Sequence, residues 1–69
     1  MTVIAVHSDD LKDVQLYLID QNVNYYKLEK LFYSSDDYYQ ELSIMSSKHA
    51  SYILLKYNAF IDERKYPLE

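Results

Sequence analysis

Sixty-nine residues make one domain, 1–69, and the counts exclude several chemistries at once. With no cysteine there is no disulfide, thiolate nucleophile or Cys-ligated metal, and Lys+Arg of 7 against Asp+Glu of 11 leaves −4, the wrong sign for gripping phosphates directly. A chain this short buries only about 60% of its unfolded surface, so a monomer or weak homodimer that gains from a protein partner is expected.

Val3-Ile4-Ala5-Val6 is a continuous apolar run. It is too short for a typical helix and lacks polar alternation, which suits a strand buried on both faces of a parallel or mixed sheet, about Thr2–Val6. Ser8 then offers a hydroxyl N-cap, and Asp9 and Asp10 put negative charge in a first helical turn. Leu11, Val14 and Leu18 fall at i, i+3, i+7, and Leu16 and Ile19 broaden that face, predicting a helix over about Asp9–Gln21. Asn22, in a chain with no glycine, is the best available residue for a left-handed helix end. From Tyr25 to Phe32 the pattern shifts to a strand, with Tyr26, Leu28 and Phe32 on one parity and Tyr25, Leu31 and Tyr33 on the other, although Leu28, Leu31 and Phe32 would also fit a helical stripe. Strand, crossover helix and parallel strand together need roughly 30 residues, which this stretch supplies.

Ser34-Ser35-Asp36-Asp37 repeats the grammar of Ser8-Asp9-Asp10, and Tyr38, Leu42 and Met45 follow at i, i+4, i+7. A second helix over about Asp36–Ser47 is expected, weakened at Ser46-Ser47. Beyond Ala50 two readings stand side by side. Ala50, Ile53, Leu54, Tyr57 and Ile61 make a helical stripe; equally, Tyr52–Tyr57 is a compact strand-like run that Asn58-Ala59 could turn into a hairpin with Phe60–Lys65.

An ordered set of phrases bears on that choice: Asn22-Val23-Asn24-Tyr25-Tyr26, Tyr38-Tyr39-Gln40-Glu41-Leu42, Ala50-Ser51-Tyr52-Ile53-Leu54-Leu55 and Asn58-Ala59-Phe60-Ile61. With the apolar first strand and the helix opening at Ser8, the chain resembles a small glutaredoxin over nearly its full length. The resemblance implies a minimal thioredoxin-like α/β fold in the order β-α-β-α-β-β, with a mixed sheet and helices packed on it. The alternative is β-α-β followed by two helices. The departures bear on function. Ser8 and Leu11 stand closest to the family's Cys-x-x-Cys, Ser51 falls at its cis-proline, and its glycine pair is absent. A serine hydroxyl cannot shuttle two electrons, so the frame is expected to be redox-inactive, to hold no cofactor such as glutathione, and to act by binding another protein. Such a chain suits a phage or mobile-element modulator of a host protein.

The resemblance places the contact surface at the former active-site edge: Ser8, Asp9, Asp10, Ser51 and Tyr52. The other candidate surface is acidic: Asp9, Asp10, Asp36 and Asp37, interleaved with Tyr38 and Tyr39, would mimic nucleic-acid phosphates and block a DNA- or RNA-binding protein. In a thioredoxin-like sheet the helix N-termini would gather these charges on one edge. The nine tyrosines fit contact roles as well as core roles. No catalytic or metal site is expected: His7 and His49 have no ligand spacing, and a Ser8–His7–Asp constellation would need neighbouring side chains to point at one another. With no apolar run near ~18 residues and no leader pattern, a cytoplasmic protein with no membrane or direct nucleic-acid contact is expected.

Overall fold

The computed structural model describes residues 2–32 and 36–61. The elements are β1 (Thr2–His7), α1 (Ser8–Asp20), β2 (Tyr25–Phe32), β3 (Tyr38–Ile44), α2 (Ser47–Lys56) and β4 (Ala59–Ile61). The sheet order is β2-β3-β1-β4, and every neighbouring pair is antiparallel. Two β-α-β units therefore interlock: β3 lies between β1 and β2, and β1 lies between β3 and β4. This is the connectivity of ferredoxin-like domains, a split β-α-β used twice. The α/β class stands, with a four-stranded antiparallel sheet and two helices; the β-α-β-α-β-β order and the β-α-β-α-α alternative do not.

The first half follows its reading closely. β1 is a central strand, with Ile4, Ala5 and Val6 fully buried, though both its neighbours are antiparallel rather than parallel. Val14 and Leu18 carry the inner face of α1. Leu16 and Ile19, expected to broaden that face, point outward at 55% and 64% exposure, because the inner stripe already fills the space over β1 and β3. The helix ends as expected at Asn22, which sits at φ 58°. Val23 N–H donates to Leu18 O (2.9 Å) and Asn22 N–H to Ile19 O (3.0 Å), the paired bonds of a Schellman motif. Asn22→Ala removes the side chain that best tolerates this conformation and should cost about 1 kcal/mol, read as a lower chemical-denaturation midpoint with unchanged slope.

The second half departs from its reading. The expected helix over Asp36–Ser47 is β3. A four-residue spacing such as Tyr38 to Leu42 satisfies an even strand parity as well as a helical turn. Between β1 and β2 the segment gains two backbone ladders, and its alternation becomes visible: Gln40, Leu42 and Ile44 face the helices while Tyr39, Glu41 and Ser43 face away. The expected strand Tyr52–Tyr57 is the body of α2, so Ser51 lies within a helix rather than before a strand. Ser46, read as weakening a helix, caps one: its Oγ accepts from His49 N–H (3.4 Å) and bonds His49 Nδ1 (2.7 Å). Asn58-Ala59 links α2 to β4, which pairs with β1 and not with residues 52–57; residues 62–65 of the expected hairpin lie outside the described ones.

The core joins Ile4 and Val6 of β1, Leu42 and Ile44 of β3, Val14 and Leu18 of α1, and Ala50 and Ile53 of α2. β2 lies at a sheet edge, less covered by the helices than β1 and β3 although Tyr25 packs against the core, and a bulge between Lys27 and Lys30 reverses its side-chain parity. That bulge puts Tyr26 and Leu31 on one face, against the simple alternation read from sequence. No helix of the described residues is long and apolar enough to cross a membrane.

Candidate functional site

The C-terminal end of β1, the first turn of α1, the start of β3 and the start of β4 meet at one edge of the sheet. Antiparallel pairing dictates this: His7 is in register with Tyr39, and Val6 with Ala59. His7 is the hub. It is the N-cap of α1, with extended backbone (φ −61°, ψ 144°), and its Nδ1 accepts the Asp9 amide proton at 3.1 Å. The cap was expected at Ser8. The strand instead runs directly into the helix one residue earlier, leaving Ser8 in the first turn with its Oγ buried and without a hydrogen-bond partner.

Because Nδ1 accepts, the ring proton of the neutral imidazole sits on Nε2, which donates to Asp37 Oδ1. Asp9 Oδ2 lies 3.7 Å from Nδ1. The Tyr39 ring meets His7 edge-on at 5.0 Å and Phe60 at 5.1 Å. Its hydroxyl donates to Asn58 Oδ1 (3.1 Å); Asn58 N–H donates to Asp10 Oδ2 (3.0 Å), and Asn58 O accepts from His7 N–H (2.9 Å). Asp37, His7, Tyr39, Asn58 and Asp10 thus form one chain of hydrogen bonds and an edge-on ring contact that links β1, α1, β3 and the residue before β4. The His7 side chain is only 16% exposed, whereas those of Asp9 and Asp37 are 86% and 54% exposed. The edge presents carboxylates on a fixed base.

The arrangement has the parts of an Asp–His pair. The imidazole nitrogen that would act as base already accepts the Asp9 amide. Among the described residues no group of three or more His, Asp or Glu is placed to hold a metal ion.

No protein-family model matches this chain, and neither does any curated protein or solved structure.

The structure brings Ser8, Asp9, Asp10, Asp36, Asp37 and Tyr39 to this edge, with Tyr38 beginning β3 beside it. Ser51 and Tyr52 are not there. Both sit mid-way along α2, where the Tyr52 ring stacks on Tyr17 at 4.8 Å and its hydroxyl accepts from Lys56 Nζ at 2.9 Å. They were grouped with Ser8 on the expectation of a loop before a strand, and the helix removes that proximity. His49 lies with Ser46 and Tyr17, away from His7. Sequence reasoning missed His7 as a cap and Asn58 as a bridge. The signal for Asn58 was its position between two elements, where an Asx side chain commonly bonds a nearby backbone or hydroxyl group.

The Tyr17–Tyr52–Lys56 group has its own pH signature. Burial, then the neighbouring Tyr52 and Tyr57, raise the Tyr17 pKa from 10.0; the Tyr52 hydrogen bond raises that of Lys56 from 10.5. Groups whose folded pKa is raised contribute stability that is complete below the unfolded value and lost as pH climbs through the folded one. Thermal stability should therefore fall as pH rises above about 10, and Tyr17→Phe should flatten that decline in a melting series.

Proposed function

We propose that the protein acts by binding another protein, and that the acidic edge of Asp9, Asp10, Asp36 and Asp37 meets a basic surface of the kind that binds nucleic acid. The observation that carries this reading is the convergence of two separate acidic pairs, 27 residues apart in sequence, on the two sides of His7. Two of the four carboxylates are held by described hydrogen bonds, Asp10 by Asn58 and Asp37 by His7, so these two have little side-chain freedom left to lose on binding. Tyr38 and Tyr39 supply flat contact area beside the charges.

This reading keeps the binding role expected for a glutaredoxin-like frame without its cysteines and moves the contact away from Ser51 and Tyr52. It favours the nucleic-acid-mimic alternative, because that alternative needed the acidic groups to cluster. The test is binding to a panel of basic nucleic-acid-binding domains across a salt series. Affinity should fall steeply with ionic strength, and the bound domain should lose its nucleic acid. Binding that ignores salt, or leaves the nucleic acid in place, would move the contact elsewhere.

A further inference from the structure

The outer edge of β2 lies at the opposite margin from β4, and nothing among the described residues pairs with it. Its polar groups are arranged by the ladder on its inner side. Met45 N–H donates to Asn24 O (3.1 Å), which makes 24/45 a hydrogen-bonded pair; Tyr25 and Lys27 stand opposite Ile44 and Leu42 in the next and third positions. Antiparallel pairs alternate, so Tyr25 and Lys27 are non-hydrogen-bonded toward β3 and turn their N–H and C=O outward. The bulge after Lys27 ends this regular stretch. Both side chains lie on the helix side of the sheet, opposite the core residues Ile44 and Leu42.

Beside that same short edge runs an open groove of about 280 Å³, lined by Ile19, Asn22, Val23, Asn24 and Tyr25. Its apolar wall includes Ile19, 64% exposed on the outer flank of α1. Groove and backbone face one place, and Lys27 stands exposed two residues further along.

We infer that β2 accepts an extended segment of a partner protein as a fifth strand, docked on Tyr25 and Lys27. The segment carries an apolar side chain opposite Tyr25, seated in the groove, and an acidic one two residues away, opposite Lys27. Main-chain bonds hold such a strand and alternate side chains select it. Charge separates this occupant from a second copy of the chain. Antiparallel β2–β2 pairing in the register that overlaps the whole strand would set the two bulges together and place Lys27 against Lys30 of the second copy, twice, and like charges directly opposite are destabilising. The surface is distinct from the acidic edge.

The experiment is a titration of ¹⁵N-labelled protein with a blocked peptide, Ser-Thr-Val-Thr-Glu-Thr-Val-Thr-Ser, which offers the apolar–acidic spacing in both strand directions. A peptide with Lys in place of Glu is the control. Amide shifts at Tyr25 and Lys27 and methyl shifts at Ile19 should move together, with a roughly millimolar Kd for so short a strand. Lys27→Glu should weaken the Glu peptide about five- to tenfold and favour the control. Lys27→Pro should abolish binding, since its N–H points away from β3 and the native ladder survives the change. Shifts confined to other residues, no shift at several millimolar peptide, or a peptide-free dimer that Lys27→Pro dissolves would each overturn the proposal. Asn at Asp9, Asp10, Asp36 and Asp37 should leave this titration unchanged, which separates its outcome from that of the acidic edge.

Discussion

Asn at Asp9, Asp10, Asp36 and Asp37 together is expected to weaken binding to a basic partner about a hundredfold at low ionic strength, with most of the loss gone by 0.5 M salt. The size follows from four rim charges, each contributing up to about 1 kcal/mol when partnered across an interface. The substitution removes charge and keeps shape. In Asp10→Asn the new amide oxygen would still accept from Asn58 N–H, and in Asp37→Asn it would still accept from His7 Nε2–H, so the base of the edge persists. The net charge of −4 rises to zero. Asp9 and Asp10 also complement the α1 dipole, so a stability loss of about 1 kcal/mol should accompany the change without unfolding the protein. Binding isotherms of wild type and variant at several salt concentrations check the prediction. If the two bind alike at low salt, charge does not carry recognition, and exposed aromatic or apolar surface does.

Leu18→Ala should be the most damaging single substitution outside binding, costing about 3–4 kcal/mol. Leu18 is fully buried in the cluster that joins α1 to β1 and β3, and it is also the residue whose carbonyl closes the Schellman motif at Val23. Deleting its side chain opens a cavity under the helix and removes the apolar contact that accompanies that motif. For a domain of 69 residues, total stability on the order of 5 kcal/mol leaves little reserve. The variant should show a large drop in denaturation midpoint and protease sensitivity at 37 °C. Leu55→Ala is the internal control: at 90% exposure it should change stability by less than about 0.5 kcal/mol. Equal losses for the two would mean that the core is not where the structure puts it.

The contrast between the two halves of the chain shows what local pattern can decide. Residues 2–22 speak with one period at a time. A four-residue apolar run cannot be a helix of useful length, Leu11, Val14 and Leu18 fit no strand, and in a chain without glycine Asn22 is the residue best suited to a left-handed helix end. Residues 36–61 satisfy two periods at once. Tyr38 and Leu42 fit both helix and strand, and Ala50 to Tyr57 fits both as well, so local propensity, worth at most about 1 kcal/mol per residue, does not separate the outcomes. What separates them is neighbours. A strand at 38–44 completes ladders with β1 and β2, and a helix at 47–56 buries Ala50 and Ile53 against the same sheet; the reverse assignment would leave β1 and β2 without the strand between them.

The same division holds for the candidate site. By itself the sequence determined that no thiol chemistry occurs, that acidic pairs follow Ser8 and Ser35, and that acidic residues outnumber basic ones, 11 to 7. Only the tertiary structure decided that the pairs share an edge, that His7 rather than Ser8 caps α1, and that Ser51 and Tyr52 belong to a different surface. The reason is physical: composition and short-range spacing are local properties of the chain. Proximity between residues far apart in sequence depends on which strands pair, and that is settled by the combined burial and hydrogen bonding of the whole sheet.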